Sequence, residues 1–591
     1  MSTATTGSAP PRVDNTLPYH GKAVDNNSLR ILSIEPGKND EPIVCKLVEV
    51  PFRDKPKFNA LSYTWGDSTP SDPKITLNGF PFRVRQNLYD ALIFLRQQSA
   101  SAPQRFWIDA ICINQDDVDE RNRQVRIMDQ IYFRASSVII WLGQSYAQIE
   151  ALESDEFIQQ KKVFAQVQVD PYWERVWILQ EMTKAWSLTV FYGTQSYTWD
   201  KFLDQLRGYT DDGGTDQSKT NPLILHQTLR GKEQRGSHKL IDLLKNHIEA
   251  KCTDRHDKIY GLLGMATDGA GFPIDYAKSM HELWTDTMVF LNEKKLLSVL
   301  DSFVYIGGLV KHLLQVEGDQ LQTAATASTK QAGNTYPEQL DTSHLIDVMP
   351  EKRHVLDRLS RSPVLHPRAY YMHATVLGSV LRVGPTTECI VGEPDVLSTW
   401  KSAIGDLYDP EELDDAHWES DNLLRTLLDT DDDMLANSCK SLPSTVIFPP
   451  ETFPVNARNA VGIEVEPAGQ AEASSSTPVD PKLYYLKALS GITRNKMGVA
   501  AGLVKPGDII CEYSKRTLIV RVFHEGPLAG KAAVVGTALT TEEICLNNSH
   551  DYTPNTGRII DRYADIYIGI EALFALSEWK GELKQDSDDD Y

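Results

Sequence analysis

Polar side chains suited to binding or catalysis lie within and just after the apolar segment FWIDAICI at residues 106–113. They are Asp109, Cys112, Asn114 and Gln115. An apolar run of this length is typical of a strand that is buried on both faces. Ligands of open α/β sheets bind at the carboxyl ends of such strands. The segment therefore predicts a ligand-binding edge, at which Asp109 either contacts a ligand or caps the following loop.

Cys112 has the chemistry of a nucleophile, but no histidine lies near it in the sequence. A cysteine in an apolar run is more often a small buried side chain. We therefore expect Cys112 to be buried rather than catalytic.

Glu181 is a carboxylate in unusually apolar surroundings. It comes one turn after Trp177 in the segment PYWERVWILQEMTKA, residues 171–185, for which Asp170 as N-cap and Pro171 at the first position predict one helix. A carboxylate among tryptophans either has a raised pKa and faces a cleft, or lies on the polar side of the helix or pairs with Arg175. The spacing leaves both interpretations open.

The elements around Asp109 have the pattern of a βαβ unit. After the strand at 106–113, Val125, Met128 and Tyr132 fall on one face of a helix, and SSVIIWLG at 136–143 is a second apolar strand. The pattern predicts that the two strands are parallel neighbours.

The preceding residues favour hairpins and a helix. LRILSI and EPIVCKLVEV predict a hairpin around Pro36-Gly37, and ITLNGFPFRV predicts one that turns at Asn78-Gly79. Asn87 is expected to cap a helix. The apolar face of that helix is expected to contain Leu88, Ala91, Leu92 and Leu95.

The fold class expected from these patterns is α/β. An N-terminal domain with a mostly parallel sheet and flanking helices precedes a helical region and a C-terminal β-rich domain. The expected boundaries are a disordered tail at 1–27, the α/β domain at 28–205, helices at 206–317, a linker at 318–345, the β-rich domain at 346–575 with a disordered insert at 466–480, and an acidic tail at 576–591.

Composition excludes several classes of function. Asp and Glu outnumber Lys and Arg by 81 to 60, and a formal charge of −21 disfavours binding to nucleic acid. Seven scattered cysteines without a C-x-x-C pair indicate reduced thiols, so we expect a cytoplasmic protein. No apolar run is long enough to span a membrane. No phosphate-binding loop, calcium loop or zinc motif is complete, so no metal and no required cofactor is predicted.

Four segments together resemble the fungal heterokaryon-incompatibility (HET) domain. They are ALSYTWGD at 60–67, WIDAICINQDDVDERNRQV at 107–125, IYFRASSVIIWLG at 131–143 and YWERVWILQE at 172–181. DRHDKIYGLLGMA at 254–266 and GLVKPGDIICEY at 502–513 resemble segments that follow the domain in such proteins. A tryptophan-rich segment expected after the helical region is absent, and the polar stretch at 318–345 takes its place.

The resemblance implies a role in non-self recognition, in which the HET domain triggers programmed cell death. HET domains are also similar to TIR domains, which implies a flavodoxin-like sheet. In that comparison Glu181 matches the glutamate with which enzymatic TIR domains cleave NAD. The NAD pocket would then contain Ser62, Tyr63, Trp65, Gly66, Asp67, Asp109, Asn114 and Trp177.

Two classes of function follow from the resemblance. The first is an NAD glycohydrolase, in which Glu181 stabilises an oxocarbenium-like state while Trp65, Trp107 or Trp177 stacks on the substrate. The second is a non-catalytic module that signals by self-association and binds a protein partner of non-self recognition. The sequence does not decide between them, and each of these tryptophans is more often a core residue than a stacking surface.

Overall fold

The computed structural model describes most of the chain, and the ranges are as follows. They are 17–19, 24, 27–38, 40–98, 104–147, 156–210, 221–230, 238–297, 303–316, 369–392, 399, 439–442, 481–488, 496–513, 516–526, 529–540 and 563–577. The predicted linker at 318–345, the insert at 466–480 and the acidic tail from 578 onward lie outside these residues. The chain divides into two compact units, 1–286 with 313–315, and 287–312 with 316–591.

Nine strands form one sheet in the first unit. They are β1 Ser28–Ile34, β2 Val44–Pro51, β3 Asn59–Tyr63, β4 Lys74–Leu77, β5 Phe80–Arg83, β6 Arg105–Trp107, β7 Val138–Trp141, β8 Leu188–Tyr192 and β9 Gln195–Thr198. Their order across the sheet is β5-β4-β2-β1-β6-β3-β7-β8-β9.

The helices of this unit flank the sheet or follow it in sequence. They are α1 Gln86–Gln98, α2 Asp109–Cys112, α3 Val118–Arg134, α4 Glu156–Val167, α5 Val176–Lys184, α6 Trp199–Thr210, α7 Pro222–Arg230, α8 Leu240–Asn246, α9 Asp257–Leu263 and α10 Met280–Glu293, of which α10 extends into the second unit. Short 3-10 helices occur at Leu17–Tyr19, Phe52–Asp54 and Pro171–Glu174.

The centre of the sheet is parallel. Strands β6, β3, β7 and β8 run in the same direction, and antiparallel strands extend the sheet on both sides. All four residues of β7 are buried, as expected for a strand with both faces covered. The expected α/β class with a mostly parallel sheet and flanking helices is confirmed. The parallel strands, numbered in chain order, lie in the order second, first, third, fourth, which is how a flavodoxin-like sheet begins.

The predicted βαβ unit is corrected in two respects. Strands β6 and β7 are parallel, but β3 lies between them, so they are not neighbours. The apolar run at 106–113 is a strand only as far as Trp107 and then turns into α2, where the amide of Cys112 donates to the carbonyl of Ile108 at 2.7 Å. Periodicity cannot distinguish a buried strand from a buried helix in so short a run.

Other local predictions are confirmed, with small changes at the ends of elements. β1 pairs antiparallel with β2, and β4 with β5 through a turn at which Asn78 and Gly79 have positive φ. The expected apolar face of α1 is buried. The helix begins at Gln86, however, so Asn87 lies inside it instead of capping it. Among the described residues of the predicted tail at 1–27, Leu17–Tyr19 forms a 3-10 helix and Val24 is buried.

The second unit contains a closed ring of antiparallel strands. Its elements are α11 Phe303–Leu314, β10 Ala369–Thr386, α12 Thr387–Gly392, β11 Lys482–Ala488, β12 Lys496–Ala500, β13 Ile509–Tyr513, β14 Arg516–Phe523, β15 Lys531–Thr540, β16 Tyr563–Gly569 and α13 Ile570–Leu576. The 18-residue β10 pairs with β11, β13 and β16, and its pairing with β11 closes the ring. Apolar residues such as Val380, Tyr484 and Ile519 fill the core of this unit. The expected C-terminal β-rich part is confirmed.

Of the helices in the described ranges, none combines the length and the apolar character that crossing a bilayer requires.

Candidate functional site

The candidate residues meet near the carboxyl edge of the parallel strands. Ser62 and Tyr63 are the last residues of β3, Asp109 begins α2 just after β6, and Glu181 lies on α5. The carboxyl ends of neighbouring parallel strands converge at one edge, which is why segments far apart in sequence come together here.

Glu181 is buried, and hydroxyl groups hold its carboxylate. It is 3% exposed, its Oε2 accepts a hydrogen bond from Ser62 Oγ, and its Oε1 accepts one from Tyr132 Oη at 3.0 Å. Tyr172 Oη in turn contacts Ser62 Oγ. Burial raises the pKa of Glu181 above its ordinary value, and the hydroxyl groups of Ser62 and Tyr132 partly offset this rise.

The charge of Arg175 acts on this network. Its Nη1 donates to the carbonyl of Tyr63 at 2.6 Å, and its charge lowers the pKa values of both Glu181 and Asp109, against the larger effect of burial. Arg175 also interrupts the predicted helix at 171–185. Its extended backbone separates the 3-10 helix at Pro171–Glu174 from α5, because this position forms a parallel bridge with Lys251.

Asp109 is partly buried and orients an aromatic ring. Its Oδ2 accepts a hydrogen bond from the indole Nε1 of Trp65 at 3.0 Å, and its Oδ1 accepts one from the amide of Ala110 at 2.7 Å. Burial raises the pKa of the Asp109 carboxyl. The site therefore holds two carboxyl groups, Asp109 and Glu181, that both bind protons more tightly than in water.

A cavity of about 160 Å³ lies beside these residues. Three of the candidate residues, Tyr63, Trp65 and Asn114, are among its lining. Glu181 and Asp109 are not among the described residues that line it, although Asp109 reaches it through Trp65. Typical ligand pockets measure about 300–1,000 Å³, so this cavity has room for only part of a larger molecule.

The remaining candidates are distributed unevenly. Gly66 has φ +73°, and its carbonyl accepts a hydrogen bond from Arg85, whereas Asp67 is exposed. Trp177 lies away from the cavity lining, next to Gly261 and hydrogen-bonded to Asp257. Of the three tryptophans considered for stacking, Trp65 alone lines the cavity, and Trp107 is fully buried.

Sequence patterns missed the arginines that shape the site. Arg30 forms a buried ion pair with Glu120, whose Oε1 also accepts a hydrogen bond from the amide of Asn114 at 2.8 Å. Glu120 therefore fixes the loop after α2. The available signal was the position of Arg30 within the apolar strand SLRILSI. A cation that is buried in this way needs an anionic partner. Arg85, on the cavity wall, has no comparable signal in the sequence.

Cys112 is buried, as expected. It is 1% exposed, its Sγ accepts a hydrogen bond from the amide of Ile108 at 3.3 Å, and burial raises its pKa to about 12. A thiol with this pKa stays protonated at neutral pH and is a poor nucleophile.

The arrangement is suited to binding a polar ligand with an aromatic part and to stabilising positive charge nearby. Aromatic rings and amides line the cavity, and two carboxyl groups lie behind its wall. Within the part of the chain that the structure describes, no cluster of three His, Cys, Asp or Glu side chains could hold a metal ion.

Comparison with known proteins identifies the region that carries this site. Residues 58–181 match the family model described as heterokaryon incompatibility protein (HET). The chain is 34% identical over 142 residues to heterokaryon incompatibility protein 6, OR allele, of Neurospora crassa, which is 22% of this chain and 21% of that protein. The chain thus matches about one fifth of the length of this curated relative. No solved structure matches the chain.

Proposed function

This chain carries a HET domain at residues 58–181, and we propose that it acts in heterokaryon incompatibility, with this domain triggering cell death. The observation that carries the proposal is the contact between Ser62 and Glu181. It joins the first and last segments of the matched region, so two residues that are 119 positions apart in the sequence meet near the edge of the sheet. The matched segment covers only about a fifth of the relative and of this chain. That the whole chain acts in heterokaryon incompatibility is therefore part of the proposal.

The chemistry that we propose for the HET domain is cleavage of NAD. Water would attack C1′ of the nicotinamide ribose, nicotinamide would leave with the bonding electrons, and one proton would pass to solvent. A carboxylate stabilises the positive charge that develops on the ribose. Glu181 is the proposed carboxylate, and the link from Glu181 through Ser62 to the neighbouring residue Tyr63, which lines the aromatic cavity, supports this assignment.

A second candidate is a non-catalytic module that acts through self-association and partner binding. The burial of Glu181 favours it, because a side chain that is 3% exposed with both carboxylate oxygens engaged cannot touch a substrate until Ser62 moves. In this case Glu181 holds α5 against β3 and Tyr132.

One experiment separates the two candidates. The full chain and its Glu181→Gln variant are incubated with NAD, nicotinamide release is followed, and both proteins are expressed in fungal cells to score death. Catalysis predicts nicotinamide release and cell death, both lost in Glu181→Gln. The control is Glu49→Gln, which alters an exposed glutamate of β2. Cell death without nicotinamide release, retained in Glu181→Gln, would establish the non-catalytic module. Absence of death with the unmodified chain would overturn the proposed role.

A further inference from the structure

Trp65 is held in place from two sides. Its indole N–H donates to Asp109 at 3.0 Å, and the guanidinium of Arg85 lies 5.1 Å from the ring centroid. Trp65 and Arg85 both line the cavity. An aromatic ring that is fixed at its edge and on one face is a preorganised wall, because a ligand need not order it on binding.

Arg85 has donors left for a ligand. It donates one hydrogen bond to the carbonyl of Gly66, and a guanidinium carries five N–H groups in a planar fork. This fork matches the geometry of phosphate oxygens. The hydrogen bond to Gly66 and the ring of Trp65 fix the fork at the wall of the cavity.

The cavity has a local charge opposite to that of the chain. The described residues that line it include two arginines, Arg83 and Arg85, and one carboxylate, Asp116. Asp109 lies behind Trp65, where burial favours the protonated, neutral form of its carboxyl, and the whole chain has a formal charge of −21. Asn114 and Gln115 add neutral amides to the lining. A small cationic cavity with an aromatic wall on an acidic protein favours a ligand that combines a ring with an anionic group.

We propose that this cavity binds the phosphate-bearing end of a nucleotide, with Arg85 pairing with the phosphate and Trp65 providing the aromatic wall. The inference rests on the proposed function for its ligand class, since NAD is a nucleotide. The cavity volume of about 160 Å³ accommodates one part of such a ligand, so a mononucleotide is a sufficient probe.

The test is isothermal titration calorimetry on the full chain with AMP, adenosine and inorganic phosphate as probes. We expect AMP to bind at least about tenfold more tightly than adenosine, because its phosphate adds a charge-assisted hydrogen bond with Arg85. Arg85→Gln should abolish that difference between AMP and adenosine, and Arg85→Lys should restore part of it. Arg53→Gln, which alters an arginine that is 86% exposed, is the matched control and should bind AMP normally.

Several results would overturn the proposal. They are equal affinities for AMP and adenosine, no binding of AMP, phosphate binding as tightly as AMP, or a folded Arg85→Gln variant with unchanged AMP affinity. The calorimetric test measures binding alone and does not depend on catalytic activity. AMP binding that depends on Arg85, without nicotinamide release from NAD, would support this inference and contradict NAD cleavage. Nicotinamide release without AMP binding that depends on Arg85 would support NAD cleavage and contradict this inference.

Discussion

The hydroxyl neighbours of Glu181 determine what its substitution will do. Glu181→Ala removes the acceptor for both Ser62 and Tyr132 in a buried environment, which should destabilise the protein by about 1–3 kcal/mol per unsatisfied group. Glu181→Gln keeps an acceptor and resembles the protonated acid that burial favours, so it should cost less than about 1 kcal/mol. Urea denaturation of the two variants measures the difference. Equal losses of stability would show that the hydroxyl groups find other partners.

Asp257 links stability to pH. It is 9% exposed, Tyr276 Oη donates to its Oδ1 at 2.7 Å, and burial raises its pKa from 3.8 to about 6. A raised carboxyl pKa means that the folded state favours the protonated form. The stabilisation from this group is therefore complete below about pH 3.8 and is lost as pH rises through about 6, with an upper bound of roughly 3 kcal/mol.

Asp257→Asn tests this linkage because the amide resembles the protonated carboxyl. We expect the variant to be more stable than the unmodified chain at pH 8 by about 1–3 kcal/mol, and the difference to shrink towards pH 5. Urea denaturation of both proteins at both pH values measures the two differences in stability. A difference that grows as pH falls would contradict the assigned burial effect.

At the scale of elements, the residue that follows α9 packs closely against α5 and α3. A Cβ added at Gly264, which follows α9, would lie 2.6 Å from Cδ of Gln180 and 2.8 Å from Cβ of Asp129. Gly264→Ala should therefore destabilise the first unit by about 1–3 kcal/mol through overpacking. Gly208→Ala is the matched control in α6, where a Cβ meets nothing within 4 Å, and it should be neutral or stabilising by up to about 1 kcal/mol. Thermal melts of both variants give the comparison, and a harmless Gly264→Ala would mean that Gln180 gives way.

Local elements were predictable because their signals are local. The turn at Asn78-Gly79 needs residues that accept positive φ, and the buried face of α1 follows from spacing alone. The order of β6, β3 and β7 was not predictable from local patterns. β3, which comes earlier in the chain, lies between the two strands of the predicted βαβ unit. The helix break at Arg175 depends on Lys251, 76 residues later, and no pattern within residues 171–185 contains that information.

The resemblance proposed residues for the candidate site but not their geometry. The resemblance brought Ser62, Trp65 and Asp109 together with Glu181, and the structure places them near one edge of the sheet. Whether Glu181 faces a cleft depends on where Tyr132 and Ser62 lie, which is decided by packing between α3, α5 and β3. Tertiary contacts of this kind leave no periodic signal in the sequence.

At the scale of the whole molecule, the two compact units have separate cores, which predicts two unfolding transitions. In the second unit Arg521 donates to both carboxylate oxygens of Asp508, which is 3% exposed. Arg521→Ala leaves that carboxylate buried without its cation, which should cost about 3–5 kcal/mol and lower one transition in a calorimetric scan. The other transition should keep its midpoint, because it belongs to the unit that contains the HET domain.

Arg207→Ala, which removes an exposed ion pair of the first unit, should move neither transition appreciably. One transition that shifts as a whole in Arg521→Ala would show instead that the two units unfold together.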